Sequence, residues 1–242
     1  MKDYCGWRAK VGLIYIASST VMEPECYAMA PEGVSIHTTK MHLEEASVEG
    51  LRNLMEADKV EAAARLLAYA PLDVITFGGT SASFLEGLGN DVKVINRIES
   101  ASGGIPGSAT STAAVRALKA LGVKKVSFVG PYISEVTERG RRFFEQSAFE
   151  VTGAHGMEVR GDREINAIGL ERTYNFVREC VEDEADGVFI SCTGLRTVGA
   201  IESLEQDLGR PVVSAIQATF WDALRIAGVK EKTSGFGSLF NY

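Results

Sequence analysis

The 242-residue sequence predicts an α/β fold of two pseudo-symmetric lobes, each a small parallel sheet flanked by helices, with a site in the interlobe cleft. Two observations support this prediction. Short β-branched segments alternate with longer helical patterns, as in βαβ units, and the same alternation occurs twice along the chain. We assign residues 1–118 and 216–242 to the first lobe and residues 119–215 to the second, with approximate bounds.

The predicted strands are short apolar runs rich in valine, isoleucine and phenylalanine. They lie at Val11–Ala17, Val74–Phe77, Val92–Ile95, Val126–Gly130, Val188–Ser191 and Val212–Ser214, with weaker extended runs at Val34–Thr38 and Met157–Val159. Helical periodicity indicates helices at Val48–Tyr69, Ser108–Leu121, Ser134–Ser147, Leu170–Glu184, Val198–Leu208 and Ala218–Ala227. This alternation is typical of a parallel sheet with helices packed on its faces.

An internal repeat relates the two halves. Strands starting at residues 11, 74 and 92 have counterparts starting at 126, 188 and 212, with offsets of 115, 114 and 120 residues. The repeat places Gly79-Thr80 on Cys192-Thr193, each just past the carboxyl end of a strand. Because ligands bind outside the carboxyl ends of strands in open parallel sheets, we expect these pairs on opposite walls of one cleft. Chance similarity between βαβ units is the alternative.

Composition and charge restrict the partners of the chain. A net charge of −7 argues against nucleic acid and anionic membranes as partners, although a local site can still bind a small anion. No apolar stretch approaches the roughly 18 residues of a membrane span. The N-terminus has no signal-peptide pattern, and the four cysteines form no Cys-x-x-Cys pair. We therefore expect a cytoplasmic protein with reduced thiols, and the sequence leaves its oligomeric state open.

Cys192 is the first candidate catalytic residue. It lies in Ser191-Cys192-Thr193-Gly194, between a buried strand and a predicted helix. Backbone amides at such a junction favour anions and lower the pKa of a nearby thiol. The alternative is a small buried side chain with a packing role, which is the commonest fate of a free cysteine.

Gly79, Thr80 and Ser81 form the matching turn of the first half. Glycine lets the backbone approach a ligand closely, and the two hydroxyls with the turn amides provide a compact set of donors. The alternative is an ordinary strand–helix turn in which Thr80 or Ser81 caps the helix.

Two further positions follow predicted strands and provide hydroxyl groups. Tyr132 comes after Val126–Gly130, where its phenol can donate to an oxyanion or pack in the wall. Ser19 and Thr20 follow the first strand, in either a donor turn or an ordinary polar loop. His37, His42 and His155 form no metal-ligand pattern with the cysteines, and Cys5, Cys26 and Cys180 are expected bystanders. We predict no metal and no cofactor.

Together, these motifs resemble the arylmalonate decarboxylase and maleate isomerase branch of the aspartate/glutamate racemase superfamily. The resemblance runs nearly end to end. It rests on the motifs Gly79-Thr80-Ser81, Pro131-Tyr132, Ser191-Cys192, Phe220-Trp221-Asp222-Ala223 and Gly235-Phe236-Gly237. Racemases and maleate isomerases of this superfamily carry cysteine in both turns, whereas arylmalonate decarboxylases have glycine in the first turn and cysteine in the second. Gly79 and Cys192 match the decarboxylase pattern.

The resemblance implies that the chain removes CO₂ from a malonate through an enediolate. Thr80, Ser81, Tyr132 and the amides near Cys192-Thr193 would hold the retained carboxylate in an oxyanion hole. The departing carboxylate would face an apolar wall, of which Leu43 matches one position. Cys192 would then protonate one face of the enediolate, giving a stereospecific product. The sequence leaves the protonation state of Cys192 open, since amide dipoles and a bound anion act on it in opposite directions.

Two departures favour a different substrate or reaction. Thr20 stands where maleate isomerases usually have asparagine, although the loop around it resembles theirs. Asn166 resembles a substrate-binding asparagine of maleate isomerases, and Asp162 and Arg163 make the same wall look polar. A smaller or more polar substituted malonate is therefore an alternative to an arylmalonate.

Our hypothesis is the decarboxylation of an aryl- or alkylmalonate, a small-molecule dicarboxylate, with Cys192 as the proton donor. The first alternative is a cis-trans isomerase of the maleate type that uses Cys192 as a nucleophile. Racemisation of an amino acid or hydantoin ranks lower, because position 79 offers no second thiol. The remaining alternative is a protein that binds a dicarboxylate without chemistry.

Overall fold

The computed structural model describes residues 3–242 and contains two parallel sheets of four strands each. The first sheet holds β1 (Ala9–Ile16), β2 (Val34–Met41), β3 (Val74–Gly78) and β4 (Gly107–Ala109). The second holds β5 (Lys125–Gly130), β6 (Glu150–Gly156), β7 (Gly187–Ile190) and β8 (Val212–Ser214). Most of these strands are continuous apolar runs because helices cover both faces of a parallel sheet. The predicted α/β fold with two flanked parallel sheets is confirmed.

The two sheets share one topology. Their strand orders are β2-β1-β3-β4 and β6-β5-β7-β8, and every pairing within them is parallel. The internal repeat is therefore real and includes four strands of each half. The predicted third pair was wrong, because β8 corresponds to β4 and not to residues 92–95.

The strand predicted at Val92–Ile95 lies inside a helix, Asn90–Ala101. Val94 and Ile98 are buried and one helical turn apart, whereas Val92 is 50% exposed. The buried residues therefore follow the period of a helix, although the short run of β-branched residues is typical of a strand. The true fourth strand, β4, escaped prediction because its three residues, Gly-Ser-Ala, are neither β-branched nor aromatic.

The extended run predicted at Met157–Val159 lies just beyond β6. Its backbone still follows β5, since Met157 N–H donates to Gly130 O at 3.1 Å and Val159 N–H donates to Pro131 O at 2.9 Å. β6 itself is an edge strand that contains two glycines, so its pattern is weak. The sequence therefore located the correct connection but displaced the strand.

Eleven α-helices connect the strands of the described chain. They are α1 (Met22–Met29), α2 (Val48–Leu54), α3 (Lys59–Leu67), α4 (Thr80–Phe84), α5 (Asn90–Ala101), α6 (Thr110–Ala120), α7 (Ser134–Gln146), α8 (Asp162–Ala167), α9 (Leu170–Cys180), α10 (Ile201–Leu208) and α11 (Ala215–Ile226), with 3₁₀ turns at Val198–Ala200 and Ser238–Asn241. The single helix predicted at Val48–Tyr69 is two helices, because Asp58 adopts a left-handed backbone with φ 68° between them.

The last helix returns to the first lobe, since α11 packs against α6 and β3. Buried aromatic rings join the two lobes. Phe84 of α4 contacts the rings of Phe128, Tyr132 and Phe143 at centroid distances of 6.3 Å each. The lobe bounds stay a prediction, but this packing fixes the two sheets relative to each other. Within residues 3–242, no helix is both long and apolar enough to cross a membrane.

Hydrogen bonds also cross between the lobes at the base of the cleft. Thr193 Oγ1 donates to Gly78 O at 2.9 Å, joining the ends of β7 and β3. Glu25 of α1 accepts the N–H groups of Thr197 at 2.9 Å and Val198 at 3.3 Å, where a 3₁₀ turn begins. The carboxyl ends of the two sheets are thereby held together.

Candidate active site

A cavity lies where the carboxyl ends of β3 and β7 meet, and its volume is about 380 Å³ when the space open to solvent is included. The structure brings together nearly all residues that the sequence nominated for binding or catalysis. Those that line the cavity are Ser19, Leu43, Gly79, Thr80, Ser81, Tyr132, Asn166, Cys192, Thr193 and Gly194. The chemical roles of these residues stay predictions, while their proximity is a feature of the fold.

Thr20 is the exception and does not line the cavity. It is exposed, whereas its neighbour Ser19 is buried. Ser19 Oγ accepts the N–H groups of Val21 and Met22, both at 3.3 Å, and so begins α1. Because the chain turns into this helix immediately, Ser19 faces inward and Thr20 faces solvent.

The first turn presents an unpaired hydroxyl. Thr80 is buried, and its Oγ1 has no hydrogen-bond partner among the described residues. Its carbonyl oxygen accepts from Ser83 Oγ at 2.9 Å and from Ser111 Oγ at 3.2 Å, so buried hydroxyls fix the turn from below. No side chain caps α4 at Gly79, so the capping alternative for Thr80 and Ser81 is not observed in this turn. Thr80 Oγ1 is left for a ligand.

The absence of a side chain at Gly79 leaves space for the ring of Phe77. It has φ −140° and ψ 84°, close to ordinary extended backbone, so its conformation does not demand glycine. A Cβ at this position would lie 2.6 Å from both Cε1 and Cζ of Phe77. Packing of the fully buried Phe77 ring therefore favours glycine here.

The second turn differs from the first in backbone conformation. Cys192 has φ 94°, a value that residues with a side chain rarely adopt. Such a conformation costs about 1–3 kcal/mol and occurs mainly at functional sites. The helix expected directly after Cys192 is absent from this part of the described chain, because residues 191–197 form a turn before the 3₁₀ segment. Cys192 therefore does not lie at a helix N-terminus.

The thiol of Cys192 is protonated at neutral pH. Its pKa is raised to about 12, mainly by burial and in smaller part by the nearby Asp162 carboxylate. The Gly194 N–H, which donates to Sγ at 3.4 Å, and the Tyr132 hydroxyl lower the pKa but do not offset burial. The balance that the sequence left open therefore favours the neutral thiol.

Tyr132 lies beside this thiol and is buried. Burial raises the pKa of its phenol well above the usual value, and the adjacent Cys192 adds to the shift. Ser191 Oγ donates to Tyr132 Oη at 3.3 Å. The phenol is thus neutral, and its hydroxyl lies beside the Cys192 thiol.

One part of the cavity lining presents hydrogen-bond acceptors, and we call it the acceptor wall (Asp162 and Asn166). Ser18 Oγ donates to Asp162 Oδ2, and Asn166 Nδ2 donates to Asp162 O at 2.8 Å and to Oδ2 at 3.3 Å. Burial raises the pKa of Asp162, while the bond from Ser18 lowers it. Within the described chain, Asn166 Oδ1 is buried and has no partner. Arg163 is exposed and outside the cavity.

Another part of the lining is apolar and comes largely from residues 42–54, which we call the rim segment. Leu43, Leu51 and Leu54 of this segment line the cavity. The rim segment is bound to the other lobe, since Ala46 N–H donates to Arg160 O at 3.0 Å. A surface salt bridge between Arg160 and Glu45 adds a contact of 2.9 Å.

Sequence reasoning did not include several lining residues in the site. They are Ile16, Ala46, Leu51, Leu54, Ala82 and Asp162. The apolar members have no local signature that separates them from core residues. Asp162 was noted only as a neighbour, although a carboxylate and an asparagine four residues apart, one turn of the helix α8, were an available signal.

The remaining cysteines and histidines lie away from the cavity. All four cysteines are free, and Cys5 is exposed while Cys26 is on the buried face of α1. His155 Nε2 contacts Glu182 Oε1 at 2.5 Å on the edge strand β6. Over residues 3–242, no group of three or more His, Cys, Asp or Glu side chains is arranged to hold a metal ion.

Comparison with known proteins gives consistent matches over nearly the whole chain. The arylmalonate decarboxylase family matches residues 11–240. An arylmalonate decarboxylase from Bordetella bronchiseptica is 35% identical over 184 residues, which cover 74% of this chain and 75% of that protein.

Two solved structures are similar to the fold described above. A double mutant of arylmalonate decarboxylase in a liganded form has a TM-score of 0.88 at 28% identity, covering 96% of this chain and 99% of that chain. A mutant maleate cis-trans isomerase from Nocardia farcinica, with a covalently bound succinylcysteine intermediate, has a TM-score of 0.89 at 25% identity, covering 96% and 98%.

Proposed function

Since the chain belongs to the arylmalonate decarboxylase family, we propose that it decarboxylates an α-substituted malonate without a cofactor. One observation carries the proposal. The buried, protonated Cys192 thiol shares a cavity with Gly79, whose turn offers donors but no second thiol. A single acid on one side of a substrate suits one-sided protonation and does not suit two-base racemisation.

The retained carboxylate of the substrate lies in the donor set between the two turns. Thr80 Oγ1 needs a partner, and the neutral Tyr132 phenol lines the same cavity. Backbone amides of the second turn add to these donors. As CO₂ leaves, negative charge grows on the retained carboxylate oxygens, and each well-placed donor contributes about 2.7–4 kcal/mol to that transition state.

The departing carboxylate faces the apolar side formed by the rim segment. A desolvated carboxylate there is unfavourable, and its conversion to neutral CO₂ removes the cost. The broken C–C bond leaves its electron pair on the α-carbon as an enediolate. The S–H proton of Cys192 then forms the new C–H bond, and the thiolate regains a proton from solvent. The net reaction consumes one proton for each CO₂ released.

A second candidate function is cis-trans isomerisation of a maleate-type diacid. Asn166 favours it, because this residue lines the cavity and resembles a substrate-binding asparagine of maleate isomerases. This chemistry requires Cys192 as a thiolate nucleophile. A thiol whose pKa is raised to about 12 is a poor source of thiolate, which is why we rank isomerisation second.

We also propose that the protein is cytoplasmic.

The test is incubation in D₂O with aryl- and alkylmalonates, maleate, aspartate and glutamate, followed by proton NMR. The proposal expects a monodeuterated monoacid from a malonate. Conversion of maleate to fumarate, or exchange at an amino-acid α-carbon, would contradict it.

Variants then test the role of Cys192. We expect Cys192→Ala to lose stereospecific turnover, whereas Cys180→Ala, a matched change on the helix α9, keeps it. Full turnover by Cys192→Ala on the same malonate would overturn the assignment of the proton donor. A covalent adduct on Cys192, seen by intact mass with maleate, would favour isomerisation.

A further inference from the structure

The acceptor wall is arranged to receive a hydrogen bond from a ligand. Asn166 Nδ2 donates both of its bonds to Asp162, at 2.8 Å to the carbonyl oxygen and at 3.3 Å to Oδ2. Turning the amide over would place Asn166 Oδ1 against those same acceptor oxygens, so this orientation is fixed by its partners. Asn166 Oδ1 is thus left as a buried acceptor without a partner in residues 3–242.

Asp162 adds a carboxylate to the same wall. It is 5% exposed and lines the cavity, and its bonds to Ser18 and Asn166 are both received at Oδ2. A buried carboxylate is costly unless donors surround it. The two donors that it has come from the protein side of the wall. A ligand that fills the cavity must therefore either donate to this wall or cover it at a cost.

The proposed reaction leaves one substituent of the α-carbon to meet this wall. The retained carboxylate takes the donor set of Thr80 and Tyr132, and the departing carboxylate takes the apolar side around Leu51 and Leu54. We propose that the substrate is a malonate whose α-substituent donates hydrogen bonds, a hydroxyl or ammonium group received by Asp162 and Asn166. This inference rests on the decarboxylase function proposed above.

An aryl substituent fits the wall poorly. An arene has no N–H or O–H group, so it would displace water from Asp162 and Asn166 without replacing the lost bonds. Sites built to bind a hydroxyl or amino group reject analogues that lack it by large factors, because buried polar groups are left unpaired. A hydroxyl group donates to Asp162 in its ionised form. An ammonium group also favours that form by its charge.

Four malonates test the inference, namely hydroxymalonate, aminomalonate, methylmalonate and phenylmalonate. The hydroxyl, amino and methyl groups have similar size, so they differ mainly in hydrogen bonding. The products are CO₂ with glycolate, glycine, propionate or phenylacetate. We expect the wild-type protein to use hydroxymalonate or aminomalonate with kcat/KM about 100-fold or more above methylmalonate.

The malonates differ in intrinsic reactivity, and this difference cancels when the ratio of kcat/KM for the same two substrates is compared between the wild type and a variant. Asp162→Val should lower the donor-to-methyl ratio by about 100-fold. Asp162→Asn keeps the shape and one acceptor oxygen, so it serves where the valine variant fails to fold. It should weaken aminomalonate much more than hydroxymalonate if the substituent is an ammonium group. Arg163→Ala, the exposed neighbour outside the cavity, should leave the ratio unchanged.

The outcomes separate this inference from the proposed function. Equal use of methylmalonate, a preference for phenylmalonate, or an unchanged ratio in both Asp162 variants would overturn the donor-substituent inference while the decarboxylase function stands. If no malonate reacts, calorimetric binding of hydroxymalonate and methylmalonate decides the matter. If hydroxymalonate binds more tightly than methylmalonate and Asp162→Val abolishes the difference, the acceptor wall selects donor groups but the decarboxylase function is wrong. Equal binding, including none detectable, overturns the inference as well.

Discussion

A side chain at position 79 is expected to destabilise the protein through Phe77 rather than through the backbone. In Gly79→Cys the new Cβ lies 2.6 Å from two ring carbons of Phe77, about 0.8 Å short of ordinary contact at 3.4 Å. The Phe77 ring is fully buried in β3 and has little space to move. The backbone at Gly79, with φ −140°, adds little to the cost.

Overpacking of this kind costs about 1–3 kcal/mol. For a chain of this length, each kcal/mol lowers Tm by about 2–4 °C. Phe77→Leu alone leaves a small cavity, but combined with Gly79→Cys it removes the clash. We therefore expect the double variant to be about 1–3 kcal/mol more stable than the sum of the two single changes predicts.

Urea unfolding followed by circular dichroism measures all four proteins of this cycle. Gly169→Cys is the matched control, since Gly169 has φ −72° and no atom of the described chain lies within 4 Å of a Cβ built there. It should change stability by no more than about 0.5 kcal/mol. If the two changes at positions 77 and 79 prove additive within about 0.5 kcal/mol, the Phe77 ring is not what excludes a side chain from position 79.

Three further predictions concern the second turn. At pH 8 iodoacetamide should label the exposed Cys5 well before Cys192, because a pKa of about 12 leaves about one Cys192 thiol in 10,000 ionised; peptide mass spectrometry gives the order, and earlier labelling of Cys192 contradicts it. The pKa of Cys192 is about 12 in the folded protein and about 9.0 in the unfolded chain, so burial of the neutral thiol stabilises the fold fully below pH 9. This contribution to the free energy of unfolding is lost as the pH rises from 9 to about 12. The wild type should therefore lose more stability than Cys192→Ala over that pH range. Thr193→Val removes the hydrogen bond to Gly78 and should lower the free energy of unfolding in urea by about 1–3 kcal/mol, whereas Thr193→Ser keeps the hydroxyl and should keep most of that stability. An equal loss of stability in both variants would contradict a role for the hydroxyl.

The fold was predictable where strands are buried on both faces and their runs are rich in branched apolar residues. β3 and β7 are of this kind and lie where the sequence indicated. The pattern failed where an element's composition misled. Val92–Ile95 contains three β-branched residues but belongs to a helix, and the three small residues of β4 carry no strand signal. The repeat nevertheless identified the two facing turns, because it depends on spacing and not on one element.

The candidate site was predictable where each residue directly follows a strand. Thr80 and Cys192 belong to this class, and the predicted family resemblance is confirmed. The acceptor wall and the apolar lining were harder to find, because Asp162 and Leu51 reach the cavity through a long-range bridge between Glu45 and Gly161. Local patterns do not encode that pairing. The strained backbone at Cys192 was also beyond prediction, since residue type alone gives no sign of a positive φ.

The bonds that cross the base of the cleft hold its two walls in one arrangement. Separating the lobes would break the Thr193–Gly78 bond, the contacts of Glu25 and the buried rings around Phe84 together. Lifting the rim segment would break its backbone bonds to Arg160 and Asp162 and expose the buried side chains of Leu51 and Leu54. The two turns that line the cavity are therefore held at a fixed separation by contacts that lie behind them.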